Sequence, residues 1–153
     1  MNMIKTKNEK SQSERLDTRR KEVLEEILNE RYAISNNRDL VNFISLYIDC
    51  ESIAKKYIQY YKIDNNEKIP SARKPLNYLE IEKAAKYFGL DIDSKLIVQI
   101  FKSGDANRGE RTPRQLRNGI FHSKAVKDIE EVEQRFEELS KLMETWLEKS
   151  REL

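Results

Sequence analysis

Arg117-Asn118-Gly119-Ile120-Phe121-His122 sets an arginine five residues before the only histidine of the chain, with an amide directly after the arginine. A guanidinium can hold a phosphate through two parallel hydrogen bonds and stays charged at every physiological pH. An imidazole can give or take a proton near neutrality. An Arg-x4-His pair is therefore suited to phosphodiester cleavage, with Arg117 on the phosphate, His122 as proton carrier, and Asn118 either holding a phosphate oxygen or orienting the histidine.

The charge around this hexapeptide fits such a substrate. The chain as a whole carries 29 Lys and Arg against 27 Asp and Glu, a formal net charge of only +2. Between residues 102 and 127, however, Lys102, Arg108, Arg111, Arg114, Arg117, Lys124 and Lys127 face only Asp105 and Glu110, a local net of +5. Arg108, Arg111, Arg114, Lys124 and Lys127 are the expected RNA-binding cations beside the pair.

Certain chemistries are disfavoured. A single cysteine, Cys50, excludes an internal disulfide and a cysteine-rich metal site, and its place in an apolar stripe marks it as a small core residue. Asp105-x-Asn107-x-Gly109 departs from the calcium-loop pattern, because the glycine comes one residue early and the twelfth position is Leu116. No His/Asp/Glu cluster with metal spacing and no glycine-rich phosphate loop occurs, so neither metal nor cofactor is expected. RNA supplies its own nucleophile, the 2′-hydroxyl, and can be cut by histidine and arginine alone, whereas DNA lacks that group. The residues at hand therefore favour ribonuclease over deoxyribonuclease chemistry. A polar N-terminus and the lack of any long apolar run lead to the expectation of a cytoplasmic protein with no membrane partner.

The elements that must position the pair read as helices. With 37% charged and 38% hydrophobic residues the charge must sit on helix faces, and four glycines with three prolines are too few for the turns of a β sandwich. The expected class is all-α, a single-domain antiparallel bundle of about five to six helices, with residues 1–10 a flexible tail and 11–153 the domain. A first amphipathic helix near 12–34 follows the capping-box pattern Ser11-Gln12-Ser13-Glu14. The most apolar helix, near 38–62, carries Leu40, Ile44, Tyr47, Cys50, Ala54, Tyr57 and Tyr61 at alternating spacings of four and three. Tyr57, Tyr60 and Tyr61 are read as core rather than as a base-stacking cluster. Residues 64–75 form a polar connection bounded by Pro70 and Pro75 that contacts ligand or moves. A shorter helix near 76–88 stops at Gly89, and another begins after Asp93-Ser94. Thr112-Pro113-Arg114-Gln115 is a strong helix start that places the Arg-x4-His pair on a short helix, and a last helix spans about 124–150.

Five residues along an ideal helix turn through about 500°, which leaves Arg117 and His122 roughly 140° apart. One helix cannot aim both at one phosphate. A two-fold dimer can, because each subunit then brings one arginine and one histidine to a shared cleft. Gly119, costly inside a helix, would be accounted for by close backbone approach at that seam.

An all-α domain with Arg-Asn-x3-His on its penultimate helix and a long amphipathic helix after it resembles the HEPN superfamily (higher eukaryotes and prokaryotes nucleotide-binding). The specific signal lies in residues 112–124. The resemblance implies a metal-independent endoribonuclease acting as a homodimer through the Arg117–His122 face, in a toxin/antitoxin, abortive-infection or other antiphage defence setting. By position it gives Arg117 the scissile phosphate, Asn118 the motif's polar place and His122 the general acid/base role. One subgroup has a tyrosine two residues after the histidine, the target of modification by its antitoxin. Here Lys124 stands there, which leaves any antitoxin or regulatory protein to act by another route. Other members are non-catalytic helical modules that bind RNA, nucleotide or a partner protein, and this is the alternative reading.

Overall fold

The computed structural model of the protein describes residues 7–104, 111–122 and 125–151. Among them are seven α-helices and no strand: α1 Lys7–Asn36, α2 Arg38–Asp64, α3 Tyr78–Tyr87, α4 Ser94–Phe101, α5 Pro113–His122, α6 Ala125–Gln134 and α7 Phe136–Arg151. The all-α expectation holds. None of these helices is long and apolar enough to cross a membrane.

The chain divides into two compact units, Met1–Asn37 and Arg38–Leu153. The first holds α1, which begins at Lys7, so Ser11-Gln12-Ser13-Glu14 lies inside the helix instead of capping it. Nothing in Lys7-Asn8-Glu9-Lys10 breaks a helix, and Lys and Glu are good helix formers, so the ladder extends back past the serines. Leu16, Val23 and Ile27 share one side of it.

In the second unit Leu40, Tyr47, Cys50 and Ala54 of the stripe read from the sequence are buried, joined by Phe43 and Ile58, while Ile44, Tyr57 and Tyr61 are half-buried. Helix α2 packs on α7, whose Leu139, Met143, Trp146 and Leu147 are buried in turn, and Ile97, Ile100 and Phe101 are buried where α4 packs on α3, α5 and α7. Phe101 meets the Trp146 ring edge-on at 5.1 Å between centroids, the arrangement aromatic quadrupoles favour. The Cys50 thiol reaches the Met143 carbonyl at 3.5 Å. Burial, followed by the charge of Asp49, pushes that thiol up to about 12, which keeps it an inert core group as its apolar setting implied. Tyr57 and Tyr61 join a run of rings with Phe88 and Tyr87 at the far end of α2, whereas Tyr60 is exposed and so is not core.

Local signals set the helix ends. Asn77 caps α3 by accepting from the Leu79 amide, and Asp93 caps α4 by accepting from Lys95. Gly89, at φ +66°, ends α3 as expected: its own amide bonds the Lys86 carbonyl while the Leu90 amide bonds that of Ala85. The single last helix read from the sequence is two. It deviates at Arg135, although the Arg135 and Leu139 amides keep their bonds four residues back. There is no Pro or Gly at this point. The Arg135 guanidinium instead pulls in two directions, to the Arg111 carbonyl at 2.8 Å and to the carboxylates of Glu131 and Glu138.

Candidate functional site

Helix α5 carries the Arg-x4-His pair, and its first turn is built as the sequence indicated. The Thr112 amide donates to the Gln115 side chain at 2.8 Å and the Gln115 amide donates to the Thr112 hydroxyl at 3.2 Å, a reciprocal capping box. The Thr112 hydroxyl also donates to the Lys102 carbonyl at 2.7 Å, which ties this turn to the end of α4.

Arg117 is half-buried. Its guanidinium carbon sits 5.9 Å from the centre of the Tyr47 ring and 5.2 Å from that of Phe121, a cation held between two aromatic faces. Nη1 donates to Asn118 Oδ1 at 3.2 Å, while Nε is buried with no hydrogen-bond partner in the protein. Asn118 therefore orients the arginine rather than the histidine in this conformation. Phe121 and His122 are exposed at the end of α5. Because α5 is helical through both motif residues, Arg117 and His122 keep the divergence of roughly 140° that a helix imposes. One chain brings Arg117 and Asn118 together and leaves His122 pointing elsewhere.

Two residues beside Arg117 escaped the motif reading, Tyr47 and Glu51, one turn apart on α2. Burial acts to raise the Glu51 carboxyl, but the hydrogen bond and charge of Lys55, the Tyr47 hydroxyl and the Arg117 charge outweigh it and hold the group below its usual range. Lys55 lies 3.0 Å from Glu51. Burial, with the Glu51 charge next, raises the Tyr47 phenol far above its usual range, so this hydroxyl stays protonated and cannot serve as a base. The available signal was the i, i+4 placement of an acid at the edge of the most apolar stripe in the chain.

The surrounding cations divide. Arg111 is not a free cation. It pairs with Asp128 and Glu131, the latter at 3.2 Å, and Arg135 extends the network to Glu138. Arg114 is buried and gives Nη1 to the carbonyls of Leu76 and, at 3.1 Å, Phe101. These two side chains are engaged in holding α5 to α4, α6 and the segment before α3, which runs against the reading of them as RNA-binding cations. The reason is burial: a guanidinium taken out of water must find acceptors, and the nearest are in the fold itself. Lys127 is exposed. Arg108 and Lys124 lie outside the described residues. No group of three metal-ligating side chains occurs among the described residues.

Gly119 makes a close approach within the chain. A Cβ there would stand 2.8 Å from the Asp128 carboxylate carbon and nearer still to Oδ2. Asp128 is buried and pinned by Arg111, so it has little room to move. Helix propensity alone would make Gly119→Ala stabilising by about 1 kcal/mol. The collision outweighs that gain, and we expect a net loss of about 1–3 kcal/mol, read as a lower denaturant midpoint at unchanged slope. A rise in midpoint would mean that Asp128 moves aside freely.

Compared with family models, with curated proteins and with solved structures, the chain matches none, so its functional reading rests on the geometry of the site.

Proposed function

We propose that this protein is a metal-independent endoribonuclease of the HEPN type that acts as a homodimer across the Arg117–His122 face. The observation that carries the reading is the divided state of the motif. Arg117 is preorganised by Tyr47, Phe121 and Asn118, and His122 is exposed at the helix end. Apposing two α5 helices would bring the histidine of one chain toward the arginine of the other. Exposed Phe121, at 59% of its full surface, supplies apolar area next to the histidine for such a contact. In this reaction one imidazole takes the proton of the RNA 2′-hydroxyl as its oxygen attacks phosphorus. The P–O5′ bond breaks, the leaving 5′-oxygen takes a proton from the second imidazole or, where a dimer holds only one, more slowly from water, and the guanidiniums hold the charge on the phosphorane. The products carry 2′,3′-cyclic phosphate and 5′-hydroxyl ends. A defence or toxin setting, with an antitoxin or other regulatory protein as partner, belongs to the same proposal.

The test is cleavage of single-stranded RNA in excess EDTA with the ends identified, followed by mixing two inactive variants. Arg117→Ala and His122→Ala, each inactive alone, should regain part of the activity once subunits exchange, because a mixed dimer holds one intact arginine and one intact histidine. Cleavage lost in EDTA would overturn the metal-independent step. Failure of the mixture to regain activity, with subunit exchange verified, would overturn the shared cleft.

A further inference from the structure

Away from α5, the segment between α2 and α3 folds over two adjoining hollows, and their linings differ in kind. One is a chamber of about 320 Å³ with Ile58, Ile69, Pro70, Pro75 and Leu76 as apolar wall. Gln59, Ser71 and Asn77 put polar groups on that wall. Asn77 Oδ1 is taken by the Leu79 amide, which leaves its NH₂ available to donate. The second is a wider cleft of about 630 Å³ where Lys62, Lys68, Lys74 and Lys83 face Glu67 and Glu80. Both volumes fall in the range of small-molecule sites, about 300–1,000 Å³. Ile69, Pro70, Ser71, Lys74 and Glu80 line both, so the hollows adjoin.

The charges in the cleft are unbalanced at a specific place. Glu80 is the carboxylate for two ammoniums, Lys74 at 3.1 Å and Lys62 at 3.8 Å. The Lys62 side chain is only 15% exposed, so water compensates it poorly. With four lysines against two glutamates the cleft keeps an excess of two positive charges. A phosphate monoester carries about −1.5 to −2 at neutral pH, which matches that excess. The hollow beside it has the size, apolar wall and polar side chains in its lining that suit a flat heteroaromatic ring. An acyl chain would leave Gln59, Ser71 and Asn77 without use.

We propose that this double hollow binds a nucleoside 5′-monophosphate, with the base in the chamber and the phosphate among Lys62, Lys68, Lys74 and Lys83. The site is separate from Arg117 and His122 and does not depend on catalysis there. It is tested by calorimetric titration of the full chain with adenosine and guanosine 5′-monophosphates, and by amide chemical-shift mapping to locate the ligand. Mononucleotide should bind, with shifts at Ser71 and Ala72. Inorganic phosphate and unphosphorylated adenosine should each bind at least tenfold more weakly. Lys68→Ala and Lys83→Ala, both at exposed positions, should each weaken mononucleotide binding by about tenfold. Ala72→Trp should fill the chamber and abolish binding, with the circular dichroism melt confirming that each variant folds. His122→Ala should bind as the parent does, which separates this site from the proposed ribonuclease centre. Equal affinity for phosphate and mononucleotide, shifts centred on α5, or binding of single-stranded RNA here without binding of mononucleotide would each overturn the proposal.

Discussion

His122→Ala should lose RNA cleavage by about 10²- to 10⁴-fold, the usual contribution of a positioned acid–base group, while its unfolding midpoint stays within experimental error of the parent. The separation of the two readouts follows from placement. His122 is exposed at the last position of α5, and surface substitutions that remove no cap or buried contact change stability by no more than about 0.5 kcal/mol. Single-turnover rates in excess EDTA, paired with denaturant unfolding of the same preparations, make the comparison. Cleavage by the variant at the parental rate would take the proton-transfer role away from this residue. Loss of activity together with a collapse in stability would move the histidine from the chemistry to the fold.

The reverse pattern is expected at Arg114. Replacement by Ala removes the donor that serves the Leu76 and Phe101 carbonyls, and each buried acceptor left without a partner costs about 1–3 kcal/mol. We expect a total loss of about 2–4 kcal/mol, a large part of the stability of a domain of this size. Arg114→Lys should recover less than half, because the shorter, flexible stem of a lysine does not carry its ammonium to the place Nη1 occupies between the two carbonyls. Urea titration of the three proteins measures this. If Arg114→Ala unfolded at the parental midpoint yet bound RNA less tightly, the residue would return to the cation role its sequence context suggests.

What could be read from the chain depended on how far each interaction reaches along it. The Thr112–Gln115 box, the Gly89 stop and the Leu40, Tyr47, Cys50 and Ala54 positions of the α2 stripe are local, governed by neighbours three or four positions away, and each is found where the residues implied. The partners of the arginines are not local. Arg114 bonds a carbonyl 38 residues earlier and Arg111 a carboxylate 20 residues later, and no periodicity announces either. A basic stretch therefore looks the same whether its cations face water or the fold. Gly119 posed a similar problem: its type signalled close approach, but only the packing of α6 shows that the neighbour is Asp128. Arg117 and His122 were legible because their spacing on a helix already contains their divergence. Tyr47 and Glu51 were not, since the contact that matters joins α2 to α5.

The internal engagement of Arg111 and Arg114 changes how this surface meets a polyanion. Each cation that neutralises a phosphate of a single strand releases condensed counterions and adds about 0.7 to the slope of log affinity against log salt. Two of the guanidiniums counted between residues 102 and 127 already have their charge satisfied by carboxylates or carbonyls of the same molecule. Held there, they are not placed to neutralise a phosphate and release none of the strand's counterions. An RNA docked along α5, as proposed, would therefore depend less steeply on salt and more on the fit of the few groups that face it.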